Sequence, residues 1–407
     1  MAATDKKNVR AMLAVATGTL LCQSPAAQEY SNEWITNLTY LDYRERDRIS
    51  VQSYIANIRG QISDDARIQL GVVLDTMTGA TPTGAIDGDS VVTSTGTSGG
   101  GFDVSGAGTA MAEFSDTRLS VDANWEHSYT RLFRVAYGGY ASVESDFTAI
   151  GGSIKASLDI NNRLTTLSVG VGAEGDKNAK RDGTTPGPMT NVEDAIFYDA
   201  GRRNSFSGLL GVTQVLDRRT VAQFNVTYSH SLGYHTDPYK VFSMADSDDV
   251  EMERFYEGRP DERRRLALYS SMRQQRPDGN ILGGSVRLYG DDWGVQSITL
   301  DSQYRYSLDG GARFIEPFGR FHFQTAADFY LRSLEPYAAL PEFASSDSRL
   351  AQMQSYTVGL KFSIPVHTWG SLQPRLAYFH QEFQDATHER NQALIVSISF
   401  ENTSSAP

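Results

Sequence analysis

Apolar and polar residues alternate one for one along segment after segment of this chain. In GRFHFQTAADFYL, residues Gly319 to Leu331, one set is Phe321, Phe323, Thr325, Ala327, Phe329 and Leu331; the other is Arg320, His322, Gln324, Ala326, Asp328 and Tyr330. A period of two is the mark of a strand with two unlike faces. The same rhythm sets Ile68, Leu70, Val72 and Leu74 against Gln69, Gly71 and Asp75, and Leu119, Val121, Ala123 and Trp125 against Ser120, Asp122, Asn124 and Glu126. It returns in Ala222, Phe224, Val226 and Tyr228, and in Tyr356, Val358, Leu360, Phe362 and Ile364.

About sixteen such segments follow one another, each near the 9 to 11 residues a tilted strand needs to cross a bilayer. They fall at 33–43, 48–61, 67–77, 117–127, 131–142, 148–159, 163–173, 204–215, 219–231, 263–274, 281–290, 295–306, 319–331, 353–364, 372–382 and 392–400. The linkers alternate in length. Ser63 to Ala66, Ile160 to Arg163, Leu216 to Arg218 and Arg276 to Asn280 are tight and rich in turn formers, whereas Thr78 to Thr117, Glu174 to Arg203, Gly233 to Glu262 and Arg332 to Gln352 are long excursions. Short turns on one side and long loops on the other are how outer-membrane barrels are built. An even strand count puts both termini on the periplasmic, short-turn side.

Composition fits this reading. The 407 residues include 36 Gly, 20 Tyr and 19 Phe, and the mean hydropathy of −0.37 is ordinary because lipid-facing and lumen-facing residues average out in a barrel. After Leu21 no run approaches the roughly 18 apolar residues of a membrane helix. Lys6, Lys7 and Arg10, then the apolar Ala11 to Leu21, then Ser24-Pro25-Ala26 read as a cleaved secretory signal peptide over 1–26. Leu21, where a small residue is required, argues against lipidation of Cys22. Cleavage takes away the chain's one cysteine, three positive charges and one negative, and moves the formal charge from −12 to about −14. Nucleic acid is not expected as a partner, nor any cofactor. Residues 27–407 then form a single domain: an all-β, transmembrane, antiparallel up-and-down barrel. A soluble sandwich also has half-apolar strands; the strand number, hairpin rhythm and export signal favour closure, which lipid makes obligatory.

Several stretches taken together, LDTMTGATPTGA (Leu74 to Ala85), RPDERRRLAL (Arg259 to Leu268), RLYGDDWGVQS (Arg287 to Ser297) and FQTAADFYL (Phe323 to Leu331), resemble segments of the domain of unknown function 3570 family. That resemblance spans nearly all of residues 27–407. It implies a Gram-negative outer-membrane barrel and brings no activity, so no catalytic residue follows from it.

The face opposite the apolar one lines a lumen in this reading. Its basic candidates are Arg118, Arg134, Lys155, Arg265, Arg273, Arg287, Arg305, Arg320, Lys361 and Arg375; its acidic ones are Asp75, Asp122, Glu126, Asp159, Asp301 and Asp328, and His322 is a further lumen-lining candidate. Ten against six leans basic, and rings of basic side chains favour anions. Salt-bridge ladders that merely fill the interior are the competing expectation. A constriction by the folded-in 78–116 loop is the expected selective point. Asp246, Asp248, Asp249, Glu251 and Glu253 are expected to form a solvated acidic loop, because they lack the ordered spacing of a calcium loop. Ser229, Ser231, His230, His235 and Asp237 lie together in the sequence, but no nucleophile-elbow or paired-histidine zinc motif accompanies them, so the chain is not expected to be an enzyme or to hold a metal. Trp125, Tyr137, Tyr228, Tyr304, Tyr306, Phe329 and Tyr378 are read as interface girdles. The expected work is a porin-like conduit for small, anionic solutes or a secreted polymer. A plugged docking barrel with working loops, or more remotely a rim hydrolase, is the alternative. Expected partners are outer-membrane lipid, lipopolysaccharide and the barrel-insertion machinery, which the strand-forming ALIVSISF end resembles a signal for.

Overall fold

A computed structural model describes residues 33–46, 48–85, 92–95, 101–104, 111–248, 250–366 and 370–405. The expected signal peptide and Asp249 lie outside the described residues. Sixteen strands form one closed antiparallel barrel: β1 Glu33–Glu45, β2 Ile49–Ser63, β3 Ala66–Pro82, β4 Met111–Ser128, β5 Phe133–Val143, β6 Phe147–Ile160, β7 Thr165–Asn178, β8 Gly201–Asp217, β9 Thr220–Gly233, β10 Glu262–Gln275, β11 Ile281–Asp291, β12 Gln296–Leu308, β13 Arg313–Gln324, β14 Met353–Pro365, β15 Ser371–Phe383 and β16 Arg390–Ser405. Each strand pairs with its sequence neighbours. The ring shuts where β1 meets β16, in register from Glu33↔Ser405 to Glu45↔Ala393. No edge is left, so every strand has a hydrogen-bonded neighbour on both sides, as a hydrocarbon surrounding demands.

The outward parity is the apolar one. Ile150 is 70% exposed, Val171 62% and Leu210 61%, a degree of exposure repeated around the ring that water would not tolerate over so large an area. Outward-facing charges keep to the strand ends: Asp42, Arg44, Lys177, Arg202, Glu262, Arg264, Glu382 and Arg390 at the long-loop end, and Arg313 at the other. The apolar belt between them is what lipid tails cover. Trp125 stacks on Tyr137 at 5.4 Å and Tyr304 meets Tyr306 edge-on at 4.6 Å, both on the outward face toward the short-turn end.

One strand differs from its expected place. The thirteenth, expected at 319–331, is Arg313–Gln324, so half of the GRFHFQTAADFYL alternation lies beyond it. Alternation persists there for another reason. Ala327 is buried against Trp293, Val295 and Leu350, with Phe329 packed on the same cluster, while the Ala327 and Asp328 amides donate to Leu350 and Trp293 carbonyls at 2.8 Å each. The periodic apolar set therefore faces a loop core and not lipid. Phe329 is not a girdle residue, and Asp328 is not on the barrel wall.

Four loops at one end, 83–110, 179–200, 234–261 and 325–352, are long. At the other end Asn161, Asn162 and Arg163 make a turn with φ of 50°, 52° and 66°, a left-handed run that asparagine tolerates better than most residues.

Candidate functional site

The long loops meet. Those following β3, β9 and β13 start six, four and six strands apart around the ring, so contact among all three has to lie across the mouth of the barrel. The Val241 amide donates to the Thr83 carbonyl at 3.0 Å, Leu334 to Ser243 at 2.9 Å, and Gly258 and Ala344 exchange two bonds of 3.0 Å. The loop after β7 joins through Val192 to Arg254 and Tyr256 to Thr190, both at 2.9 Å. Apolar packing follows these ties: Phe242, Met244, Phe255 and Ala344 form one buried cluster, and Ala85, Val241 and Tyr256 another. The connections after β1, β5 and β11 are short, so the rim stays low between the cap's anchor points.

Within the loops of this cap lies a knot of buried charge. Arg259 Nη2 donates to Glu257 Oε2 at 3.0 Å and to Asp347 Oδ2 at 2.8 Å. Arg349 Nε donates to Asp347 Oδ1 at 2.7 Å, and its Nη2 lies 3.1 Å from Asp237 Oδ2. Glu257 Oε1 accepts from the Asp237 amide at 2.7 Å, and Lys240 reaches the Pro82 carbonyl. Burial opposes ionisation of Asp347, yet Arg349, Lys240 and Arg259 hold its carboxyl below the usual carboxylate range. Burial raises the carboxyl of Glu257 against the pull of Arg259. A cavity of about 10 Å³, room for one water, is lined by Asp176, Arg203, Tyr234, His235 and Arg349 among others.

The Ser and His of the 229–237 segment do touch: Ser231 Oγ and His235 Nε2 are 2.8 Å apart. Ser231 has no exposed surface, His235 Nδ1 faces the Gly233 carbonyl at 2.7 Å, and Asp237 Oδ2 is engaged by Arg349. Burial, with Arg203 beside it, lowers the imidazole to about 2. In this arrangement the pair is a strut under the cap. The acidic segment is likewise occupied: Asp246 Oδ1 accepts from the Asp248 and Val250 amides at 2.9 Å, Glu251 Oε1 takes Arg254 Nε at 2.9 Å, and Glu253 Oε2 takes Asn191 Nδ2 at 3.1 Å.

Cross-strand register places Asp75, Arg118, Asp122, Glu126, Arg134, Lys155, Asp159, Arg265, Arg273, Arg287, Asp301, Arg305, Arg320, His322, Lys361 and Arg375 on the inward parity. Asp328 is the exception, as a loop residue whose carboxylate abuts Gly294. The inward face also carries Glu174, Asp176, Arg203, Arg263, Asp291, Glu316 and Glu401, which brings the interior nearer to charge balance than ten against six. Most sit at strand ends placed too short from sequence. Glu316 was hidden by the misplaced thirteenth strand, while Arg263 shares the parity of Arg265 and was legible.

Pairing, not number, separates the two walls. On β3–β8, Arg118 holds Asp75, Arg134 Nη1 lies 2.6 Å from Asp159 Oδ2, and Arg203 Nε lies 2.9 Å from Asp176 Oδ2. On β10–β15, Arg263 holds Asp291, Arg305 holds Glu316 at 2.7 Å and Arg320 holds Asp301 at 2.6 Å. Among the described residues, Arg265, Arg273, Arg287, Lys361 and Arg375 on that second wall have no carboxylate within 4.0 Å, and Lys155 is alike on the first. Arg265 instead donates to Ser231 Oγ at 2.8 Å; Arg375 lies over Phe318 at 4.1 Å and Lys361 over Phe314 at 5.7 Å. Arg273, Arg320 and Arg375 are exposed although they point inward, so solvent reaches this wall. His322 Nδ1 contacts Thr299 Oγ1 at 2.8 Å on the same wall. Of the segment 78–116, expected to form a constriction, residues 86–91, 96–100 and 105–110 lie outside the described residues; its Thr83 and Ala85 join the cap, which narrows the mouth together with the loops after β7, β9 and β13.

Fold and site together define a transmembrane strand barrel with a capped, charged and wetted interior. A family model described as "Protein of unknown function (DUF3570)" matches residues 10–398, and the chain belongs to that family. No curated protein matches it. Among solved structures it is similar to the ferric enterobactin receptor PfeA of Pseudomonas aeruginosa (8% identity, 92% of this chain and 81% of that one, TM-score 0.41). It is also similar to OpdK of Pseudomonas aeruginosa with vanillate (9%, 91% and 98%, TM-score 0.43) and to the siderophore receptor PirA of Acinetobacter baumannii (10%, 88% and 54%, TM-score 0.42).

Proposed function

We propose that the chain is an outer-membrane conduit for small anionic solutes, with its long loops outside the cell and its short turns in the periplasm. The observation that carries this reading is the set of inward cations on β10–β15 with no carboxylate of their own. A cation already paired presents little field to a passing solute; one left open in a wetted channel attracts an anion and repels a cation. These side chains are also staggered in depth. Arg287 stands four residues from the loop end of its strand, Lys361 and Arg375 eight, and Arg273 eleven, with the buried Arg265 above them at three, so an anion passes from one open cation to the next.

Purified protein in planar bilayers is expected to show stepwise conductance with a reversal potential displaced toward the anion's equilibrium value. A silent barrel overturns the reading. The interlocked cap supports a second one, a docking barrel whose loops hold a partner. Deleting 234–261 separates the two: a conduit gains conductance, whereas a docking barrel loses its partner with permeability unchanged.

A further inference from the structure

We infer that Lys361 and Arg375, two-thirds of the way down the second wall from the loop end, form a binding rung for a small solute carrying two negative charges. This rests on the conduit reading and names its substrate class.

The two residues are direct cross-strand partners, Lys361 on β14 and Arg375 on β15. Like charges placed so are destabilising, and an ordinary wall sets a carboxylate between them, as the β3–β8 wall does for its arginines. Here the carboxylate opposite Lys361 is Glu316, and Arg305 holds it at 2.7 Å. Glu401, on β16, is the other carboxylate whose field reaches Lys361. Arg305, Lys361 and Arg375 thus lie near two carboxylates, one of which Arg305 already holds.

The rung is also built to keep its shape without a counter-ion. A Cβ on Gly359 would stand 2.4 Å from Phe318 Cζ and 2.8 Å from Ala377 Cβ. The missing side chain is what lets the Phe318 ring cross β14 and lie beneath the guanidinium on β15. Arg375 Cζ is 4.1 Å from that ring and Arg305 Cζ 3.9 Å from Phe314. Aromatic faces hold planar cations without neutralising them. Arg375 is exposed on the inward face and its side chain makes no hydrogen bond or ion pair among the described residues, and a ligand with two negative charges completes what the wall leaves unmade; a monoanion answers one cation only.

Isothermal titration of the detergent-solubilised barrel with succinate, inorganic phosphate at pH 8, and butyrate tests this without relying on conductance. Succinate or phosphate is expected to bind roughly ten-fold more tightly than butyrate. Arg375→Gln and Lys361→Gln are each expected to bring that ratio close to one. Gly359→Val, which keeps every charge but displaces Phe318, is expected to lower it part of the way. Equal binding of all three probes, or a preference that survives both charge substitutions, overturns the rung. A dianion preference in a barrel silent in bilayers keeps the rung and removes the conduit; anion-selective conductance without the preference does the reverse.

Discussion

The cap and the second wall of the lumen use the same residue types to opposite ends. In the cap, Arg259 and Arg349 are enclosed by Glu257, Asp347 and Asp237, and all five are fixed by further hydrogen bonds. On the wall, Arg287, Lys361 and Arg375 lie against aromatic rings or stand in solvent. Charges that water cannot reach require partners, because an isolated buried charge costs several kcal/mol; charges in a wet lumen do not. The comparison teaches where to look for function. Completed pairs hold structure, and open charges are available to a solute.

The largest effect that can break this contrast is in the knot. Asp347→Ala removes the acceptor shared by Arg259 and Arg349 and is expected to destabilise the cap by about 3–5 kcal/mol. Protease cleavage within 234–261 and 325–352 should rise while the barrel stays intact; an unchanged cleavage pattern would mean that the knot does not hold the loops.

Next comes acid. His235 is held neutral down to about pH 2, so its folded-state value lies below that of the unfolded chain, near 6.5. Stability from this residue is complete above that unfolded value and is lost as pH falls below it. Lowering pH from 7 to 5 should loosen the cap by about 2 kcal/mol, read as faster amide exchange in 234–238, and His235→Gln should flatten the dependence.

A paired wall charge comes third. Asp159→Ala removes the acceptor of Thr166 Oγ1 at 2.7 Å and the near partner of Arg134, leaving that guanidinium only Glu126 at 4.0 Å, and should cost about 1–3 kcal/mol in detergent unfolding. Smallest in stability, though not in function, is Arg287→Gln: within about 0.5 kcal/mol of wild type, with reversal potentials moved toward zero anion preference. A stability loss as large as that of Asp159→Ala would erase the distinction between the walls.

The strand number, the two faces and the hairpin order were legible in the chain because each depends on a local period of two and on turn residues a few positions apart. Ile68 to Leu74 and Tyr356 to Ile364 announce their outward face with no knowledge of neighbours. Strand ends were less legible: Glu174 and Asp176 extend β7 past the point where its apolar residues stop, and 325–331 imitates a strand because Ala327 and Phe329 alternate into a loop core.

By itself the sequence determined which residues could face lipid and which could face inward, since a strand offers its side chains no third choice. Only the tertiary structure decided which inward charges neutralise one another and which stay open, because Arg305 meets Glu316 and Lys361 meets Arg375 through register between strands, a relation that no single segment encodes. The cap belongs to the same class of facts: loops leaving distant points of the ring meet over the mouth only once the ring has closed.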